Sequence, residues 1–239
     1  MPDAASTPIE PAPTRAPAAG CVVFLLDESR SQEARVAEGT RTKAESFATA
    51  LNSLLAQLTG EPVIDVAIVG CRAGGEDDLA GLRWAGPLTG RRFVPSDELA
   101  DRPAAVENRV RKVPGPGGMG VTREETVRFP VWYVPSLGDA APASSAAALV
   151  RALVDEWLAA APRQAPPLVM SFLADAPAEP WTNSFSAIAG PDPTRAPLVF
   201  HAHLGTLARV PATLYPSSDL HLPPGPDRKS TRLNSSHRT

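Results

Sequence analysis

Cysteine is scarce in this chain: Cys21 and Cys71 are the two in 239 residues. Two unclustered thiols make no zinc site. Cys21 opens one apolar run and Cys71 follows another. If both runs are parallel strands, five or six residues at ~3.3 Å each put the sulfurs roughly 17–20 Å apart, beyond disulfide reach. Two reduced thiols are the pattern of a cytoplasmic protein. Long apolar runs are missing too, and none approaches the ~20 residues needed to span a membrane. Residues 1–19 lack the charged start and apolar centre of a secretory signal. Rich in Pro and Ala, they read as a disordered leader. Lysine is nearly absent, with Lys43 and Lys112 the two before residue 227, whereas Arg, Ala and Pro abound. That bias points to a GC-rich bacterial genome and is silent on mechanism. There is no Gly-x-x-x-x-Gly-Lys phosphate loop and no Gly-x-Ser-x-Gly nucleophile elbow.

Residues 227–237 match the translation of a common short-read sequencing adapter. The natural frame is therefore expected to be cut near Pro226, with 227–239 an assembly artefact that carries no function. The whole chain has 23 basic and 26 acidic residues, a net charge of -3. The tail holds four of the basic residues and one acidic one, which leaves 19 and 25, or -6. A net acidic chain is a poor match for nucleic acid, which needs a basic face. The whole chain, at 43% hydrophobic and 21% charged residues, reads as a soluble protein, and 20–226 suits one α/β domain.

The clearest element is Val22-Val23-Phe24-Leu25-Leu26, an apolar run without alternation. Such a run reads as a strand buried on both faces of a parallel sheet. After polar residues 32–41, Thr42 and Glu45 form a capping-box pattern. Phe47, Ala50, Leu51, Leu54, Leu55 and Leu58 then recur at helical spacing, and Thr59-Gly60 with Pro62 ends the helix. Residues 64–69 form a second strand, completing a βαβ unit. Residues 72–82 read as loop. Short strands are expected around Trp84 and at 92–94, and a helical turn at 96–99. Residues 106–134 read as a β-hairpin arm tipped by Gly115-Pro116-Gly117-Gly118, with Pro130 at an edge or bulge. The insertion as a whole spans about 83–134. Residues 143–160 predict a helix burying Ala147, Leu149, Val150, Leu153, Val154, Trp157 and Leu158. Apolar strands follow at 168–173 and 198–204, with His201 and His203 on the second and one of them facing the core. No long helix is evident in 176–197. The expected fold is α/β, doubly wound, with a mostly parallel central sheet flanked by helices.

Where the first strand ends, the polarity changes abruptly to Asp27-Glu28-Ser29-Arg30-Ser31. Asp27, Ser29 and Ser31 are three oxygen-bearing side chains at alternate positions. In open α/β sheets ligands bind beyond the carboxyl ends of strands. One carboxylate with two hydroxyls is a hard-oxygen set suited to Mg²⁺, Mn²⁺ or Ca²⁺. This stretch resembles the von Willebrand factor A (VWA) domain, whose signature is a buried strand ending in Asp-x-Ser-x-Ser, the first loop of a metal-ion-dependent adhesion site (MIDAS). The resemblance covers roughly residues 20–205 and rests on 27–31 and 175. It implies a VWA/Rossmann-like fold in which the serine hydroxyls hold the cation directly and Asp27 acts through water. It assigns the third loop's aspartate to Asp175, although Ala176 replaces the usual glycine. The second loop departs from the family pattern. Ala141, before Pro142, stands where a threonine is expected, and alanine cannot ligate a metal. Ser144, Ser145 and Thr89 are the candidate substitutes, with helix capping the ordinary role of the two serines.

The implied metal set is Asp27, Ser29, Ser31 and Asp175, holding Mg²⁺ (or Mn²⁺ or Ca²⁺) weakly. The implied function is a non-enzymatic protein-interaction module, in which a partner's carboxylate completes the metal shell. Arg109, Arg111 and Arg123 on the arm are candidate contact residues. No nucleic-acid or membrane partner is expected. The alternatives are a structural α/β module with a degenerate site and, further off, a metal-dependent phosphohydrolase of the haloacid-dehalogenase type. Such an enzyme needs a second carboxylate two residues after its nucleophile, and here that position is Ser29.

Overall fold

Four strands, β1 (Cys21–Asp27), β2 (Asp65–Cys71), β7 (Leu168–Leu173) and β8 (Leu198–His203), lie side by side and parallel in the order β2-β1-β7-β8. The structure is a computed structural model that describes residues 18–36, 39–60, 62–73, 80–115, 122–160, 165–173 and 181–203. Two short strands, β3 (Ala80–Leu82) and β4 (Val94–Pro95), add to β2 antiparallel. The result is a mostly parallel sheet, compatible with a Rossmann-like arrangement.

The unalternating apolar runs arise because both faces are covered. On β1, Cys21, Val23 and Leu25 point to one side, with Ala67, Val69 and Val169 from the neighbouring strands. Helix α3 (Ala143–Ala160) closes that side with Ala146, Val150, Leu153, Val154 and Trp157, joined by Phe185 and Ile188 of α4 (Trp181–Ala189). Phe24 and Leu26 point the other way, with Val66, Ile68 and Phe172. Helix α1 (Lys43–Gln57) covers them with Phe47, Leu51 and Leu55. The short helix α2 (Ser96–Leu99) adds Leu99. The capping box forms as its sequence predicts: Glu45 N–H donates to Thr42 Oγ1 and Thr42 N–H to Glu45 Oε2. Such a cap is worth about 1 kcal/mol.

The segment 83–134 divides in two. Its first part is built into the core through Trp84, Leu88, Val94 and Leu99. The short strands there lie at Ala80–Leu82 and Val94–Pro95, displaced from the expected positions because pairing with β2, not local composition, decides where they form. Its second part is the expected hairpin, β5 (Ala105–Pro114) against β6 (Thr122–Val131), with Pro130 opposite Val106. Residues 116–121 at the anticipated tip lie outside the described residues. Arg109 is not an exposed contact residue. Its guanidinium lies 3.4 Å from the centroid of the Phe129 ring, pairs with Glu107 and reaches Thr49 Oγ1 of α1. It anchors the arm. Arg111 and Arg123 are exposed, with Arg111 paired to Glu125.

The nine-residue helix α4 falls where no long helix was evident, its apolar pattern shortened by flanking prolines. No helix among the described residues is long and apolar enough to cross a membrane. Cys21 pairs with Asp65 and Cys71 with Asp27, so the thiols stand at opposite ends of the sheet, both free. Burial pushes each thiol up to about 12, aided by nearby carboxylates.

His201 lies on the α4 face of the sheet, exposed on one side, and His203 is the other histidine of β8. The His201 Nδ1 is hydrogen-bonded to the fully buried Ser171 Oγ, and its ring lies 3.8 Å from that of Phe185. Burial lowers its pKa to about 4, even though β8 is the outermost described strand and the residue keeps an exposed side. The folded state then keeps a neutral ring where the unfolded chain, at about 6.5, takes up a proton. This part of the stability is complete above pH ~6.5 and is lost as the pH falls toward 4. Denaturant titrations from pH 7.5 to 4.5 are expected to show a decline that His201→Gln flattens. An equal slope in both proteins would contradict this account.

Candidate metal-binding site

The sheet connections set the location. From β1 the chain runs by way of α1 to β2 on one side, while β7 and β8 lie on the other. The strand order therefore reverses between β1 and β7, and the crevice beyond their carboxyl ends is the switch point where such sheets bind ligands. Leu26 pairs with Phe172, so the two strands end level.

Asp27, the last residue of β1, is followed by a tight turn. Asp27 Oδ1 accepts the Ser29 N–H at 2.8 Å, an Asx-turn, and its Oδ2 accepts Gln32 Nε2 at 3.1 Å. Ser29 Oγ and Ser31 Oγ are 2.7 Å apart. A short 3-10 turn over Arg30–Glu33 holds this geometry, with Gln32 N–H donating to Ser29 C=O. Thus the Asp27 carboxylate holds the Ser29 backbone and the Gln32 amide, and the Ser29 and Ser31 hydroxyls meet each other.

The second loop meets the first through the backbone. Arg30 N–H donates to Gly138 C=O at 2.8 Å and Gly138 N–H to Glu28 C=O at 2.9 Å. Asp139 and Ala73 exchange a pair of backbone bonds, which ties in the chain after β2. Gly138 is required by this crowding, since a Cβ there would lie 2.4 Å from the Ala73 carbonyl oxygen. Ala141 is half-buried and packs toward the α3 side of the core. Thr89 donates its hydroxyl to Gly86 C=O within its own turn, and Ser144 is exposed in the first turn of α3. Asp139, which the sequence reading did not single out, pairs with Arg30 at 3.1 Å. Asp175 lies outside the described residues.

Glu28, between the motif residues, has a separate role. It is fully buried, on the face opposite Asp27. Its Oε2 lies 2.6 Å from Arg83 Nε and 4.0 Å from Arg72 Nε, and its Oε1 accepts the Tyr133 hydroxyl at 3.0 Å. Gly70 makes room for it, because a Cβ there would stand 2.3 Å from Glu28 Oε2. Burial foremost, then the adjacent Glu28 charge, raises the Tyr133 pKa well above the usual value, so the phenol stays protonated and donates. Tyr133 is placed by Asn52 of α1, whose Oδ1 accepts the Trp132 and Tyr133 N–H groups and whose Nδ2 donates to Tyr133 C=O. Strand alternation continued one residue past Asp27 would have sent Glu28 inward. That signal was available in the sequence.

Comparison with family models, curated proteins and solved structures finds no match. The chemistry of the site therefore rests on its own donors. Among the described residues no three His, Cys, Asp or Glu side chains group as a metal site. The donors at hand are instead hydroxyls and one carboxylate, a set that suits a hard cation. Gln32, whose amide N–H donates to Asp27, has a buried Oε1 with no hydrogen-bond partner among the described residues.

Proposed function

We propose that this chain is a VWA-type protein-interaction module that binds its partner through a divalent cation, without catalysis. The observation that carries the reading is the convergence of Asp27, Ser29 and Ser31 at the switch point, with the two hydroxyls in mutual contact and the carboxylate oriented by a backbone N–H and an amide. Asp27, Ser29, Ser31 and Asp175 would hold Mg²⁺, Mn²⁺ or Ca²⁺. The cation would offer a position for a partner's carboxylate. The hairpin arm, with Arg111 and Arg123 exposed, is the adjoining surface proposed for specificity.

A second reading is a structural module that needs no metal. It is favoured by the same hydrogen bonds, which already satisfy the two serines, and by the Arg30–Asp139 pair beside them. Calorimetric titration with Mg²⁺ and Mn²⁺ separates the two readings: saturable binding supports the module, and its absence supports the structural role.

The second loop provides a graded test. Ala141→Thr is expected to strengthen binding by roughly threefold to tenfold, because a neutral hydroxyl replaces one bound water without adding charge. Unchanged or weaker binding would mean that this position does not face the cation.

A further inference from the structure

Gln32 is fully buried, an uncommon fate for glutamine. Its Nε2 is used, donating to Asp27 Oδ2 at 3.1 Å. Its Oε1 is buried and has no hydrogen-bond partner among the described residues. The orientation of the amide follows from its neighbour: a carboxylate only accepts, so the NH₂ end must face Asp27. Leaving a buried carbonyl unpaired costs about 1–3 kcal/mol, which calls for a use. The two heteroatoms of an amide are ~2.3 Å apart, so Oε1 lies within ~5.5 Å of Asp27 Oδ2.

We infer that Gln32 Oε1 is a ligand for the cation held by Asp27, Ser29 and Ser31, an inference that rests on the reading proposed above. Glutamine carbonyls are ordinary ligands for hard cations. One amide then does two things: its N–H fixes the carboxylate, and its oxygen supplies a neutral donor to a shell that has no side-chain ligand from Ala141. An additional protein oxygen suits Ca²⁺, which takes six to eight ligands, more than Mg²⁺, which retains waters. The site should therefore accept Ca²⁺ at least as well as Mg²⁺.

The competing role is a brace, in which Gln32 only orients Asp27 through Nε2. Affinity alone does not separate the two, because Gln32→Met removes both functions. The number of waters on the metal does. Tb³⁺ serves as the probe for the full-length chain, and its luminescence lifetimes in H₂O and D₂O give the count. Gln32→Met is expected to gain about one bound water and to weaken Tb³⁺ and Ca²⁺ binding about tenfold. Gln32→Glu keeps an oxygen for the cation but loses the N–H donated to Asp27; it is expected to bind more weakly with the wild-type water count, and it guards against a folding defect in the methionine variant. A Gln32→Met protein that binds with the wild-type water count overturns the ligand role. Failure of the wild type to bind Tb³⁺, Ca²⁺ or Mg²⁺ overturns the metal reading itself.

Discussion

Glu28→Ala is expected to destabilise the protein by about 3–5 kcal/mol, the usual cost of removing one partner from a buried ion pair. The carboxylate is inaccessible and serves Arg83 and Tyr133 at hydrogen-bond distance, with Arg72 close by. Removing it leaves the Arg83 guanidinium, 12% exposed and with Nη2 already unpartnered, without its counter-charge. A domain whose whole stability is about 5–15 kcal/mol loses a large share of it. Urea denaturation of the wild type, Glu28→Ala, Arg83→Met and the double variant measures the coupling. The double variant is expected to be more stable than Glu28→Ala, since the nearer and more buried of the two guanidiniums no longer stands without its counter-charge. Two additive single effects would show that the pair is not coupled.

Asp27→Ala is expected to lower divalent-cation affinity on the order of 100-fold or more, to the edge of detection. It deletes the one described carboxylate among the proposed ligands and with it the anchor that the Ser29 N–H and Gln32 amide share. Ligand charge is a main determinant of affinity in oxygen sites. Asp27→Asn separates the two contributions: it keeps an acceptor for Ser29 N–H and loses the charge. Mg²⁺ and Mn²⁺ titrations of both variants check this. Affinity within threefold of wild type in Asp27→Ala would remove Asp27 from the site.

The fold was legible wherever one local signal was decisive. The unalternating runs of β1, β2, β7 and β8 and the helical spacing of α1 and α3 marked the core within a residue or two. The capping residues Thr42 and Glu45 marked where α1 starts. Elements that depend on a distant partner were less visible. β3 and β4 are two or three residues long and exist through pairing with β2. Arg109 looked like a surface charge because its ring partner and Thr49 cannot be read from spacing. At the site, the alternation of Asp27, Ser29 and Ser31 was plain. The contributions of Asn52 and Tyr133 were not, because they lie 25 and 106 positions from Asp27 and meet the first loop only through Glu28.

The root of the hairpin has a consequence for how this architecture can be altered. Ala104 N–H donates to Val131 C=O at 2.8 Å, and Ala105 pairs with Val131. The chain thus leaves and re-enters the body through neighbouring points. Seen from the body, the excursion between them has almost no end-to-end span, whatever its contour length. Closing a longer loop adds only about 0.6 kcal/mol per doubling. The outer part of the ribbon can therefore be shortened, extended or exchanged as a cassette, provided the Arg109 anchor and the Asn52 clasp are left in place.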